Sequence, residues 1–594
     1  MGKKRKLLFI AGLFIILLIS AGCSSKAANR LWLKSPGWSR AVHLGSTNAV
    51  APPPVVIEDD GSVYTVLFPD SEEKEGISSS QLILLTPEGQ VQEKVNLGIG
   101  VNNPKDPLLS RIEGKLTLFW IDGYQLYAVE LNDAGELSGN VVQLSGEVRV
   151  GSYDIASNDQ GELTVWYTGT RESPGLYLLE FASSGTEKRL IDRRGVRINL
   201  VKDSQGDLHA AWAHYPWGYG ELAWYYAHYP NAEYQANQAV SIFSRGISNA
   251  VRVEGPVMSL DNERVYLFWS ETIVSGLDAG NRTALMQSFP VGQPELASEP
   301  GAINVPRTDK LDQNSPDSEG FTAGPRVDLG SSSFFPTNSL SDLFPAQGQG
   351  PETVLAFRSE TEYMWRESKN QVNIVYLKDG SPTSFQPLSF TSTVSYKPSI
   401  TADDPGNLYL LWLEKKEFSN EVFLTTTDPD KMAYLNKVTW NDYLSLAAEA
   451  GFGILAGIVL APFAAAVWGG ISMLGLLINT ITSKFRNSTV RTFGQLLSLG
   501  ASLVIYWFLK LATLPGIGEG YVPFSAWIPV ISPAWEAPLQ IGVPILIGVL
   551  GIFTAWNFTY RKESSSPVYF LMVYAGMDAL LSTAVYGILI YGAF

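Results

Sequence analysis

The sequence predicts an all-β ectodomain, a β-propeller of about seven or eight four-stranded blades, followed by an all-α bundle of four transmembrane helices. Three observations predict it. A unit of acidic turn, glycine and short apolar strand ending in Trp recurs through residues 31–435. Four apolar stretches follow residue 450, each near or above the ~20 residues that span a bilayer. The chain opens with a basic cluster and an apolar run, the pattern of an export signal.

At the N-terminus, Lys3, Lys4, Arg5 and Lys6 precede an apolar run over 7–19 and then Ser20, Ala21, Gly22 and Cys23. These last four residues resemble the lipobox of bacterial lipoproteins, departing from its commonest form in having Ser20 where Leu is usual. The resemblance implies a signal peptide over 1–22, lipidation at Cys23 and a linker over 23–30; the rival reading is an uncleaved anchor. Both send the following residues across the membrane. Cys23 is the single cysteine of 594 residues, so a disulfide framework and a Cys-rich metal cluster are excluded.

The repeat reads Asn158-Asp159-Gln160-Gly161 followed by a strand to Trp166, and Asp203-Ser204-Gln205-Gly206 followed by a strand to Trp212. It returns from Asp403 through Gly406 to Trp412, with weaker copies at Gly61, at Gly114 to Trp120, and at Asp261 to Trp269. The Trp residues at 120, 166, 212, 269 and 412 stand 46, 46, 57 and 143 apart. The last gap is read as about three units with degraded copies between. A period of ~45–50 residues with short strands fits four-stranded blades, and strands apolar on both faces belong inside packed sheets. The run Gly406-Asn407-Leu408-Tyr409-Leu410-Leu411-Trp412 resembles sialidase-like and BNR-like propeller repeats, which implies the fold and not an activity. It departs from the Asp-box of true sialidases, because Trp follows Gly at a longer spacing. Residues 306–351, rich in Ser, Asp, Gly and Pro, read as an irregular insertion, either disordered or a functional flap.

After a juxtamembrane segment over 436–450, the membrane domain occupies 451–594, with apolar stretches at 451–481, 493–514, 541–558 and 568–594. Lys484, Arg486 and Arg491 lie between the first two, Arg561 and Lys562 between the last two, and 515–540 holds only Glu519 and Glu536 as charged residues. By the positive-inside rule the basic loops are cytoplasmic, and the ectodomain and C-terminus lie outside a cytoplasmic (inner) membrane. Gly453, Gly457, Ala461, Ala465 and Gly469 recur every four residues, a stripe that permits close helix approach. Two ionisable residues fall within the spans. Lys510, about 26 Å along its helix, is expected to snorkel to the outer surface. Asp578, roughly 15–18 Å into the fourth helix, is either a functional site or a carboxyl bonded to Tyr or Ser.

The search for chemistry in the ectodomain returns little. Three of the four His lie in an aromatic-rich stretch around Trp212–Tyr229. A turn centred near Tyr219 sets His214 opposite Trp224 and His228 opposite Ala210, with the two His on one face about 13 Å apart. That is too far to share a metal, so no metal and no cofactor are expected. Trp217, Tyr219, Trp224, His214 and His228 remain candidate ligand contacts, against the plainer reading of cross-strand aromatic packing. There is no Gly-x-Ser-x-Gly elbow, P-loop or HExxH helix, and no motif selects catalytic residues.

The net charge of −15 argues against nucleic acid as a partner. The leader carries +4 and the last 155 residues are neutral, leaving about −19 on the exported region, which disfavours broad contact with anionic polymers. The functional expectation is a membrane-anchored, non-catalytic binding or assembly module with a protein or carbohydrate ligand on the propeller. The alternatives are an exo-acting glycosidase of sialidase type, and a transport or signalling component working through Asp578.

Overall fold

The computed structural model describes residues 35–591 except 71–77, 113, 133–134, 158–161, 171, 183–184, 215–219, 308–325, 331–333, 347–351, 365–366, 390, 392, 417–418, 483–487, 515–521, 524–532 and 561–565. Cys23, Gly161, Trp217 and Tyr219 lie outside the described residues. Two compact units divide the chain near residue 438.

The first unit is a propeller of seven blades. Five are consecutive antiparallel meanders, spanning 55–101, 105–143, 150–192, 195–247 and 251–302. The sixth spans 341–387 and gains a fifth strand, Val327–Asp328. The seventh takes three strands from 395–426 and its outermost from Val42–Thr47, so the two ends of the chain close the ring within one sheet. Closure leaves no sheet to slide past its neighbour.

Trp269 lies on blade 5 and Trp412 on blade 7, so the gap spans two units and not about three, with a single blade between. The segment after blade 5 adds a two-stranded ribbon, Val305–Pro306 with Pro336–Thr337, and not another blade. Nor is the insertion wholly irregular. Ser341–Pro345 is the innermost strand of blade 6, and Val305, Leu340 and Leu343 join the apolar contact between blades 5 and 6.

Each tryptophan of the repeat lies on the second strand of its blade. Those strands are buried on both faces because they form the middle of a stacked layer: Leu208–His214 is buried from Leu208 through Ala213. Trp120 packs with Phe68 and Leu82 between blades 1 and 2, Trp166 and Trp212 between 3 and 4, and Trp412 between 6 and 7. Leu411 and Leu413 meet Val63 and Ile83 between blades 7 and 1, so the ring closes apolar face to apolar face. The glycine of the repeat turns the chain between first and second strands. Gly61, Gly206 and Gly406 hold φ of +82°, +89° and +89°, a conformation that a side chain disfavours. The same bond recurs in these turns, Gly206 N–H donating to Asp203 O at 3.1 Å and Gly406 N–H to Asp403 O at 2.9 Å. Gly114 occupies the equivalent turn of blade 2 with φ +78°.

After blade 7 comes α1 (Pro429–Leu435), whose N-terminal N–H groups are capped by Asp428. The second unit holds α2 (Trp440–Thr482), α3 (Ser488–Thr513), α4 (Pro533–Tyr560) and α5 (Pro567–Tyr591). All four carry windows apolar enough to cross a membrane, and this is a multi-pass membrane protein. Pro462 lies within α2, which continues through it. The small-residue stripe packs inside the bundle: a Cβ on Gly457 would stand 2.0 Å from Thr583 O, and one on Gly469 would stand 2.8 Å from Ala575 Cβ. The backbones of α2 and α5 therefore approach where glycine allows it.

Candidate functional site

A four-stranded meander sorts its loops by end. The turns joining first to second and third to fourth strands lie at one end of the blades. The loops joining second to third strands, and one blade to the next, lie at the other, here called the mouth. The chain enters and leaves the propeller at the end away from the mouth. Arg40 N–H donates to Asn436 Oδ1 at 2.9 Å, and its guanidinium donates to Lys437 O at 3.1 Å. Close by, Lys431, 1 % exposed, donates to Asp428 Oδ2 at 2.7 Å, and Tyr409 OH donates to the same oxygen at 2.7 Å.

At the mouth, the innermost strands share a distortion. In blades 2, 4, 5, 6 and 7 the pairing slips across a bulge that holds one residue at positive φ: Asp106 (44°), Arg197 (57°), Gly255 (115°), Asp342 (51°) and Lys397 (49°). For the non-glycine residues this conformation costs on the order of 1 kcal/mol each. Bulges of this kind re-aim side chains, and here four of the five positions are charged. Asp342 bridges two cations, with Oδ1 3.1 Å from Lys397 Nζ and Oδ2 3.1 Å from Arg358 Nε. Asp106, exposed on its bulge, lies in the field of Lys397 and Lys105.

Beside this pair, a cleft of about 580 Å³ opens among blades 6, 7 and the start of the chain, lined by Asn48, Arg358, Tyr396, Lys415, Lys416 and Asn420. Tyr396 OH donates to Asn420 Oδ1 at 2.5 Å, which fixes the ring as a wall of the cleft. Lys416 lies 2.6 Å from Glu421, whose carboxyl also meets His43. Burial works to raise the Glu421 pKa, but the bonds from Lys416 and His43 hold it below the usual carboxylate range. Lys415 is exposed and forms no ion pair with any described residue. Behind the cleft Glu414 is buried, accepting from Trp412 Nε1 at 3.2 Å and Thr393 Oγ1 at 2.9 Å; burial pushes its carboxyl up.

The residues singled out in the aromatic stretch lie elsewhere. The strands pair one register away from the expected one: His214 faces Ala223 and His228 faces His209. A shift of one residue exchanges faces, so His214 and His228 fall on opposite faces of blade 4. His228 stacks on His209 at 4.8 Å and lies 2.9 Å from Asp207 Oδ2. His214 lies 2.5 Å from Asp192 Oδ2, the oxygen that also accepts Trp212 Nε1 at 2.8 Å. Trp224 has no exposed surface and meets Trp269 edge to face at 5.5 Å, so it is core and not a ligand contact. Among the described residues no group of His, Cys, Asp and Glu has the geometry of a metal site.

In the membrane unit, Lys510 does not snorkel. Its ammonium lies 3.0 and 2.8 Å from the two oxygens of Asp578, over the face of Trp507 at 4.4 Å. Tyr506 OH donates to Asp578 Oδ2 at 2.8 Å, and Ser582 Oγ lies 3.4 Å from it. A charge that finds its counter-ion inside the bundle has no reason to reach for the surface.

The cleft residues and the bulge residues escaped the sequence reading. Lys415 and Lys416 directly follow the repeat unit ending Trp412-Leu413-Glu414, so a look at what extends beyond each repeat strand could have found them. Nothing in the sequence marks the bulges.

No protein-family model matches the chain, and no curated protein sequence matches it. Among solved structures it is similar to a polysaccharide lyase of family PL25, an ulvan lyase, at 9 % identity and TM-score 0.42, covering 65 % of this chain and 95 % of that one. It is similar to the α-L-arabinanase of Penicillium chrysogenum at 11 % identity and TM-score 0.34, covering 65 % and 97 %. It is similar to AofleA from Arthrobotrys oligospora at 10 % identity and TM-score 0.31, covering 59 % and 89 %.

Proposed function

We propose that the protein is a membrane-integrated, extracytoplasmic propeller that binds a ligand at its mouth without turning it over. The observation that carries this reading is the division of labour between the propeller's two ends. Both chain connections are tied together at one end by Arg40, Asn436 and Lys437. The other end opens a polar cleft. Hydrogen-bonding and cationic groups line that cleft, and of the carboxylates beside it Asp342 and Glu421 are committed to cations while Asp70 is bonded to the Asn48 amide. A glycosidase of the usual kind needs two carboxyl groups free to exchange protons or attack. The basic loops of the membrane domain support an outward-facing propeller, and the leader supports export with lipidation at Cys23.

The test is the detergent-solubilised full-length protein on an immobilised glycan and peptide array, beside a panel of fluorogenic glycosides. Binding lost in Tyr396→Ala with no glycoside turnover is the expected result. Robust turnover that survives purification overturns the binding reading in favour of a hydrolase.

A further inference from the structure

Resting on that binding reading, we propose that the cleft takes an acidic saccharide: a short chain or chain end whose sugar units carry carboxylate or sulfate. Four cations, Arg358, Lys397, Lys415 and Lys416, gather at one place and share two carboxylates, Asp342 and Glu421. Glu414 is buried behind the cleft, and Asp70 accepts from Asn48 Nδ2 at its edge. Among the described residues the cleft lining itself holds three cations, Arg358, Lys415 and Lys416, and no carboxylate, in a protein whose exported region is strongly acidic. Lys415, exposed at the cleft wall, forms no ion pair with any described residue.

The rest of the lining suits a sugar. Tyr396 is held by Asn420 as a fixed aromatic face, on which the apolar side of a pyranose can lie. Asn48 and Ser419 add polar groups to the lining, while Asn420 is held between Tyr396 and Ala49 O, and a volume of about 580 Å³ lies within the usual range of ligand sites. Cations beside an aromatic wall and amides read charge, ring face and hydroxyls together.

The acidic surface elsewhere sets the size of the ligand. At physiological salt, charges farther away than about 8 Å are largely screened, so the cleft acts locally. A long polyanion laid across the surface meets repulsion outside the cleft, whereas a short acidic chain meets only the cations.

The experiment measures binding of full-length protein in detergent to three probes by calorimetry: trigalacturonate, a sulfated heparin disaccharide and neutral maltotriose, each at low and high salt. We expect an acidic probe to bind, maltotriose not to bind, and high salt to weaken the complex; whichever acidic probe binds identifies carboxylate or sulfate as the group read. Lys415→Ala/Lys416→Ala should weaken it about tenfold. Lys378→Ala, an exposed lysine at the end of blade 6 away from the mouth, should leave it unchanged. Equal affinity for maltotriose, an unaffected double variant, or no binding of either acidic probe overturns the proposal. A neutral glycan or peptide captured on the array and lost in Tyr396→Ala would sink the acidic ligand while leaving the binding reading standing. Turnover of glycosides would instead sink that reading itself.

Discussion

Lys510 on α3 and Asp578 on α5 form an ion pair with both carboxylate oxygens engaged, at 3.0 and 2.8 Å, and neither side chain has exposed surface. Tyr506 and Trp507 complete the enclosure. Removing one partner of such a pair strands the other charge away from water, at a cost of about 3–5 kcal/mol. Lys510→Met and Asp578→Asn should therefore each lower the thermal unfolding temperature of the detergent-solubilised protein strongly. The double variant Lys510→Met/Asp578→Leu should recover most of the loss. A double variant as unstable as either single one would mean that the two residues act separately.

The ion pair also marks where sequence reasoning stops. Depth along a helix can be counted from residue number, and counting placed Lys510 near one surface and Asp578 near the middle. Whether they meet depends on the rotation and tilt of α3 and α5, which packing of Tyr506, Tyr574 and their neighbours decides. The propeller was more legible, because Gly206, Trp212 and their equivalents repeat: a turn that needs positive φ and a strand buried on both faces leave the same mark in every blade. Closure by Val42–Thr47 left no mark, since a six-residue strand carries no record of a partner nearly four hundred residues away. The register at His214 and His228 is hidden for a similar reason, because it follows the loop length and the packing of both faces, and nothing in the local sequence marks the turn centre.

The contact between α2 and α5 makes a sharper demand on residue type. A Cβ on Gly457 would fall 2.0 Å from Thr583 O and 2.9 Å from Ala584 Cα, both backbone atoms that cannot rotate away. At Gly470, on the same helix, a Cβ meets nothing within 4 Å. Gly457→Val should force the helices apart and cost about 1–3 kcal/mol or more, as overpacking does. Gly470→Ala should be neutral or slightly stabilising through its helix propensity. Unfolding temperatures of the two variants in the same detergent check this, and equal values would remove the close-approach explanation of the stripe.

Where the propeller chain ends, Lys431 is buried against Asp428 and Tyr409, and its stem packs on Gly89. Asp428 also caps α1, so loss of the ammonium leaves a buried carboxylate with three roles and no counter-charge. Lys431→Met keeps the stem and removes the charge. We expect it to destabilise by about 3 kcal/mol and to increase proteolytic cleavage around 428–437, read by limited digestion of the full-length protein. Lys431→Arg, which preserves the charge, should recover part of the loss. If Lys431→Met is as resistant as wild type, packing of the stem suffices and the ion pair is dispensable.

Asp154, on the innermost strand of blade 3, links it to blade 4: Oδ2 accepts from Leu200 N at 2.7 Å and Asn199 Nδ2 at 3.2 Å, while Oδ1 accepts from its neighbour Ile155 N at 2.9 Å. Asn199 Oδ1 in turn accepts from Met258 N at 2.7 Å, which carries the link to blade 5. Burial pushes the Asp154 carboxyl up to about 7, against the lowering effect of these bonds. In the unfolded chain it titrates at about 3.9. The sign follows from linkage: between those values the unfolded chain ionises the group while the folded one keeps its proton, so its contribution to stability is complete below about pH 4 and is lost as pH rises to about 7. Wild-type unfolding temperature should therefore carry a downward component across that window. Asp154→Asn, which cannot ionise and retains an acceptor for Leu200 N–H, should lack it. Subtracting the two pH profiles isolates this group from other carboxyls such as Glu414, which burial shifts the same way. A flat difference profile from pH 4 to 7 would mean that Asp154 is already ionised in the folded propeller and that its hydrogen bonds outweigh its burial.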